Sequence, residues 1–249
     1  MDKKLVRKTG AVLLALIIWH MASLAVGMDM LLASPVKVIG RLLTIWKEPG
    51  FFSTVFYSLV RILCGFLIAF TAGFLLAVAA GRYEAIETLL WPYIVTVKSV
   101  PVASFIILCL TWFSFDQLTV FIAFLIAFPV IYQNILQGIK SIDVKMLEMA
   151  DIFKVSWLRR FLYIYLPGIK PYVLSASSTA VGMAWKAGVA AEVIGVVGGS
   201  IGEKLYDAKI YFMNADLLSW TIIIIVLSVL LEKLFIFVLR MLFSGLEKL

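Results

Sequence analysis

Several of the residues best equipped for chemistry stand where charge is costly. Arg61, Lys98, Lys186 and Glu192 lie inside or beside long apolar runs. A charged side chain turned to lipid there costs about 2.5–3.5 kcal/mol on insertion scales, so each is expected to face protein or a water-filled path. Lys98 and Lys186 would favour an anionic solute by Coulomb attraction. Lys186 follows Trp185, which makes that pair a candidate for the wall of a path, and Pro101 stands three residues after Lys98. Snorkelling or a structural pair accounts for Lys98 equally well, and Arg61 reads most simply as a structural residue near the outer part of its span. Lys186 and Glu192 are six residues apart and do not share a helix face. Glu192 is therefore expected to pair with a lysine across helices or to shape an outer gate.

Other chemistries find little material. The chain has a single histidine, His20, which precludes a Ser/His/Asp set elsewhere, and no metal-ligand spacing is evident. Cys64 and Cys109 fall in apolar runs and are expected to be small buried hydrophobes. The stretch Gly195–Lys204, GVVGGSIGEK, lacks the GxxxxGK[ST] order of a phosphate loop and is expected to be a flexible turn. The chain itself is accordingly expected to be no enzyme and to hold no metal or other cofactor.

These residues must be positioned by membrane helices. Of 249 residues 63% are hydrophobic and 15% charged, with mean hydropathy +1.05, against about 25% charged in a typical soluble domain. The apolar runs are continuous and reach the ~20 residues that a spanning helix needs. The reading is an all-α integral membrane protein of about six spans, near 10–28, 54–80, 88–112, 118–138, 170–197 and 217–243. One membrane domain, 1–249, holds a core at about 54–243. The basic start MDKKLVRK followed by an apolar run reads as a retained signal anchor, and residues 36–47 as an amphipathic helix on the outer surface. The net charge of +7 does not call for nucleic acid. Lys3, Lys4, Arg7 and Lys8 in the tail, Lys140, Lys145, Lys154, Arg159 and Arg160 between spans four and five, and Lys233, Arg240 and Lys248 near the end share one side of a six-span topology. The positive-inside rule then puts both termini and the long loop in the cytoplasm.

That loop, about 139–169, contrasts with the five-residue FSFDQ between spans three and four. A long loop inside a compact domain usually has structure or function. Two short helices fit: 143–153, capped by Asp143 with Met146, Met149, Ala150 and Phe153 as an apolar stripe, and 156–166, capped by Ser156. Pro167 is expected to stop the second, Gly168 to turn the chain, and Pro171 to open span five. A helix pair resting on lipid headgroups and a docking surface for a cytoplasmic partner both satisfy this pattern.

The segment resembles the EAA loop of ABC importer permeases, which runs Glu-x-Ala, then glycine, then Ile-x-Leu-Pro. Here stand Glu148-Met149-Ala150 and Ile164-Tyr165-Leu166-Pro167, with Lys154 in the glycine place. Further resemblance, to permeases for nitrate, sulfonates, taurine and some thiamine precursors, lies in Ser58-Leu59-Val60-Arg61 with Gly65-Phe66, in Lys98-Ser99-Val100-Pro101, and in Ala184-Trp185 with Glu192. It implies a type I importer of the bacterial plasma (inner) membrane: a second copy of this chain, a cytoplasmic ATPase dimer that binds the ATP and Mg, and an extracytoplasmic binding protein or lipoprotein. It implies ATPase coupling by Glu148, Met149, Ala150, Asp151, Lys154, Leu166 and Pro167, and a translocation path with Lys98, Pro101, Trp185, Lys186 and Glu192. A secondary transporter would call for an internal repeat, and a membrane enzyme for a carboxylate or histidine cluster; neither is evident.

Overall fold

Glycine decides how the central helices meet. In the computed structural model, which describes residues 3–246, α3 (Phe51–Arg82) and α6 (Phe115–Lys140) form the most extensive helix pair. Gly65, Gly73 and Gly81 recur every eight residues along α3. A Cβ on them would lie 2.3 Å from the Val120 carbonyl oxygen, 3.0 Å from Ile131 Cγ2 and 2.7 Å from Ile139 Cγ2. Contacts that climb α6 as they climb α3 mean the two helices run parallel, at a separation only glycine permits. α9 (Leu166–Gly195) runs back against both: Gly138 meets Tyr172, Gly188 meets Ile62 and Gly195 meets Leu118.

The bundle thus has a loop end, where α6 stops and α9 begins, and an opposite end. α11 (Asn214–Leu246) packs on α9 and is joined to it by Ser178 donating to Glu232. It finishes at the loop end, with the Phe243 ring near Lys170 Nζ. At the opposite end α2 (Pro35–Ile45) buries Pro35, Val38 and Ile45 and exposes Val36 and Ile39, the amphipathic surface helix expected from the sequence. Ser34 caps it, and Arg41 pairs with Asp216 and Glu48, tying it to α11. Burial alone would lower the Arg41 pKa, but the hydrogen bonds to Asp216 and Glu48 outweigh it, so the group is held more firmly charged than usual.

Among the described residues, four helices are long and apolar enough to cross a bilayer: α1 over Thr9–Val26 within Lys3–Val26, α3, α6 and α11. The expected spans 10–28, 54–80, 118–138 and 217–243 fall on them. The expected straight span at 88–112 is instead α4 (Glu84–Ser99) and α5 (Val102–Cys109), bent by 102°. Pro101 is the cause: a residue before proline is pushed from helical to extended backbone, and Val100 has φ −83° and ψ 134°. Counted as one, the bent pair is a fifth span. The expected span at 170–197 is α9, which starts earlier. Its buried face is largely alanine, serine and glycine, and it is not among the helices apolar enough to cross a bilayer, so length and hydropathy give four or five spans among the described residues against the six expected.

Cys109 is buried as expected, whereas Cys64 faces out of the bundle, since the buried face of α3 belongs to Ile62, Gly65, Phe66 and Ala69. His20 is half-buried, with Nδ1 unpartnered. Lys248 lies outside the described residues, as do the side chains of Lys3, Lys4 and Lys8.

Candidate functional site: the α6–α9 loop and the buried carboxylate

The loop opens with α7 (Val144–Ile152), whose N-terminus is capped by Asp143 accepting from the Lys145 N–H at 2.9 Å. Its C-terminus closes with Val155 N–H donating to Ala150 O at 2.9 Å and Lys154 N–H to Asp151 O at 3.0 Å. Those two bonds are a Schellman motif, and Lys154 occupies its left-handed position with φ 50°. The residue that departs from the glycine of the resembled pattern therefore adopts the backbone that glycine favours. Lys154→Gly is expected to raise the thermal unfolding temperature, by relieving about 1–2 kcal/mol of left-handed strain, and to leave transport intact. Calorimetry or a dye-based melt of the purified protein checks it.

Ala150 is buried and packs inward from α7, so its small size serves the loop's own packing. Glu148 and Asp151 are exposed, and Asp151 accepts from Arg160 at 2.5 Å, bracing α7 on the next helix. The exposed outer face is apolar: Met146, Met149, Ile152 at 78% and Phe153 at 74% exposure.

The second predicted loop helix does not stop at Pro167. α8 (Trp157–Arg160) continues through a π turn, Phe161–Tyr165, directly into α9. The Leu166 N–H donates to Phe161 O, five residues back. The wider turn places Pro167 at the start of an α-helical segment, where its missing N–H and ring are tolerated. Leu166 is buried and Pro167 exposed, Gly168 has no positive φ, and Pro171 lies inside α9 rather than opening it. α8 and the π turn thereby form one continuous helical path from the loop into the most buried helix of the bundle.

At the opposite end Glu192 is fully buried. It accepts from the Ser58 hydroxyl at 2.8 Å and from the Gly202 N–H at 3.3 Å, and Ser58 Oγ in turn accepts from the Ile201 N–H at 2.9 Å. Glu192 Oε1 has no hydrogen-bond partner among the described residues. The expected lysine pairing is thus replaced by a hydroxyl and one backbone amide, because Lys186 points to the exposed side of α9. Arg61 stacks on Tyr57, 3.9 Å from the ring centroid, and pairs with Asp116; Tyr57 also donates to Asp116 at 2.9 Å.

This carboxylate holds down α10 (Ile201–Ile210), a helix the sequence reading missed. The stretch expected to be a flexible turn is a built cap: Ser200 accepts from Glu203 N–H at 3.1 Å and Glu203 accepts from Gly199 N–H at 2.7 Å. The signal was present as Ser200-x-x-Glu203, the spacing of a capping box. A Cβ on Gly202 would come within 2.5 Å of Glu192 and Val193. Val196 and Phe212, before and after α10, adopt φ 48° and 55° and end α9 and α10 in further Schellman motifs. A β-branched residue in that conformation is strained.

The remaining predicted path residues are not gathered into one pocket. Lys98 is exposed at the end of α4 and donates to Gln133 on α6 at 2.7 Å. Pro101 is exposed at the bend. Trp185 is fully buried, and its indole donates to Ile224 O at 3.0 Å, so it packs α9 on α11 and offers no face to a solute in this conformation. Lys186 is exposed on a face of α9 shared with Ser175, Thr179 and Met183.

The chain is 27% identical to a putative aliphatic sulfonates transport permease protein of Bacillus subtilis, over 87% of this chain and 79% of that one. It is 26% identical to the taurine transport system permease protein of Escherichia coli, over 86% and 80% of the two chains. A nitrate import permease protein of Leptolyngbya laminosa is 30% identical, over 75% of this chain and 67% of its own length. Residues 69–248 match the family described as the binding-protein-dependent transport system inner membrane component. That match takes in the bent span, the helical loop and the buried carboxylate of α9, and the chain belongs to this family of multi-span ABC importer permeases.

Proposed function

We propose that the chain forms the translocation path of an importer for a small anionic solute of the sulfonate, taurine or nitrate kind. It acts in a bacterial plasma membrane with a second copy of itself, an extracytoplasmic binding protein and a separate cytoplasmic ATPase dimer. The observation that carries this reading is the exposed apolar face of a short, well-braced α7. Exposed apolar groups clustered on a rigid element mark a docking surface, and α7 leads through α8 into α9, so a push at the loop reaches the helix that carries Lys186 and Glu192. The loop end is then cytoplasmic, and α2 and α10 face the binding protein. Purification from native membranes tests the assembly: a stoichiometric ATPase is the expected companion, and a permease recovered alone under several mild detergents goes against it.

Lys186 supplies the attraction for the anion in this reading. Lys186→Met is expected to reduce uptake into vesicles about tenfold, the loss of roughly 1.4 kcal/mol of attraction, while basal ATP hydrolysis of the complex persists. Unchanged uptake removes Lys186 from the path.

A further inference from the structure

A cleft of about 570 Å³ opens beside the π turn at the loop end. Its walls are apolar and come from Phe74 and Val78 of α3, Ile139 of α6 and Phe161 of the π turn. Arg82 and Arg160 also line it, with the aromatic residues Tyr83 and Trp157. Arg82 belongs to the last turn of α3 and has no ion-pair partner among the described residues. Arg160 gives one nitrogen to Asp151, while its Nε is buried without a hydrogen-bond partner among the described residues. Trp157 is 70% exposed and stacks on Phe161, with ring centroids 5.5 Å apart.

We infer that this cleft holds one anionic phospholipid. Its acyl chain lies between α3 and the π turn, and its phosphate lies against Arg82 and Arg160. The walls belong to a membrane-spanning helix near its end, so an acyl chain from the surrounding bilayer enters without leaving hydrocarbon. Arginine with tryptophan and tyrosine is the composition that selects the headgroup level and its negative charge. A polar solute would leave the apolar walls unmatched, and a zwitterionic lipid leaves the net positive charge of two guanidinium groups and one Asp151 uncompensated. The lipid would rest between α3 and α8, the segment that carries motion from the loop into α9.

Bromine-labelled lipids test this on the full-length chain in nanodiscs. The Trp157 emission is taken as the difference between the parent chain and Trp157→Phe, and its quenching by brominated phosphatidylglycerol is compared with that by brominated phosphatidylcholine. Half-maximal quenching is expected at about a fivefold lower mole fraction of the anionic lipid, and Arg82→Gln is expected to abolish the preference. Because Arg82 is exposed and has no ion-pair partner among the described residues, the variant is expected to retain its fold, and retention of the parent melting temperature verifies that. Val78→Phe, which fills the cleft from α3, is expected to weaken quenching by the anionic lipid. Equal quenching by the two lipids, indicating ordinary annular contact, overturns the inference. So does an unaltered preference in Arg82→Gln, or no quenching by either lipid, which would mean that protein of a second copy covers the cleft.

Discussion

A single methyl group added at Gly65 is expected to cost the protein about 3 kcal/mol of stability, whereas the same methyl at Gly182 is expected to do no harm. At Gly65 the new Cβ would lie 2.3 Å from the Val120 carbonyl oxygen and 2.9 Å from Ala123 Cβ. The first is backbone and cannot rotate away, so α3 and α6 must separate along their whole seam, and Ile131 and Ile139 lose their seats over Gly73 and Gly81. Overpacking usually costs about 1–3 kcal/mol where side chains can yield; with backbone in the way the upper end of that range is expected. In a chain of this size that lowers the melting temperature by about 6–12 °C, and Gly65→Val is expected to leave no folded protein to purify. Gly182 has open space around its Cβ position, so Gly182→Ala gains about 0.5–1 kcal/mol from helix propensity alone. Melting curves of the two alanine variants side by side make the comparison. Equal losses at both sites would show that the seam does not set the separation of the helices.

The contrast between those two glycines marks what the sequence could yield. Run length and hydropathy were enough to find α1, α3, α6 and α11, because a bilayer imposes one period and one length on all of them. Pro101 was visible as a residue but not as a 102° bend, since a proline inside an apolar run kinks or breaks a helix according to what packs around it. Pro167 was over-read in the opposite direction: a π turn has no residue signature, and it absorbed the proline that was expected to end the helix. Lys154 stood out as a misfit in a glycine place and takes a left-handed φ, so the local rule was legible and the exception informative. Ser58 and Glu192 are 134 residues apart, and no spacing rule links them. Trp185 and Glu192 were singled out by type, but their partners, Ile224 O and the Gly202 amide of α10, follow only from how α9, α10 and α11 pack. Much of what carried the resemblance holds helices together: Gly65 seats α6, Trp185 seats α11, and Ser58 with Glu192 pins α10.

Ile152→Asp combined with Phe153→Asp is expected to abolish transport without unfolding the permease. Both side chains are more than 70% exposed at the tip of α7, so charging them removes no contact within the chain. The braces of the loop are elsewhere: the Asp143 cap, buried Ala150, the Asp151–Arg160 pair and the left-handed turn at Lys154. If a cytoplasmic ATPase buries these two side chains, each contributes about 1.5–3 kcal/mol to docking. Losing both weakens the contact by more than about 100-fold. The variant is expected to melt at the parent temperature, to lose its ATPase on purification and to take up substrate at background rate. Recovery of ATPase and permease in the parent ratio, with normal uptake, would place docking elsewhere and leave the apolar face of α7 to rest on lipid. Ala150→Leu separates packing from docking. Its bulk presses inward and lifts α7, so it is expected to lower the melting temperature as well as uptake. Glu148→Lys changes only an exposed charge and is expected to weaken docking at full stability. A stable Ala150→Leu protein that still loses the ATPase would mean that Ala150 meets the partner directly, and that α7 turns over when it docks.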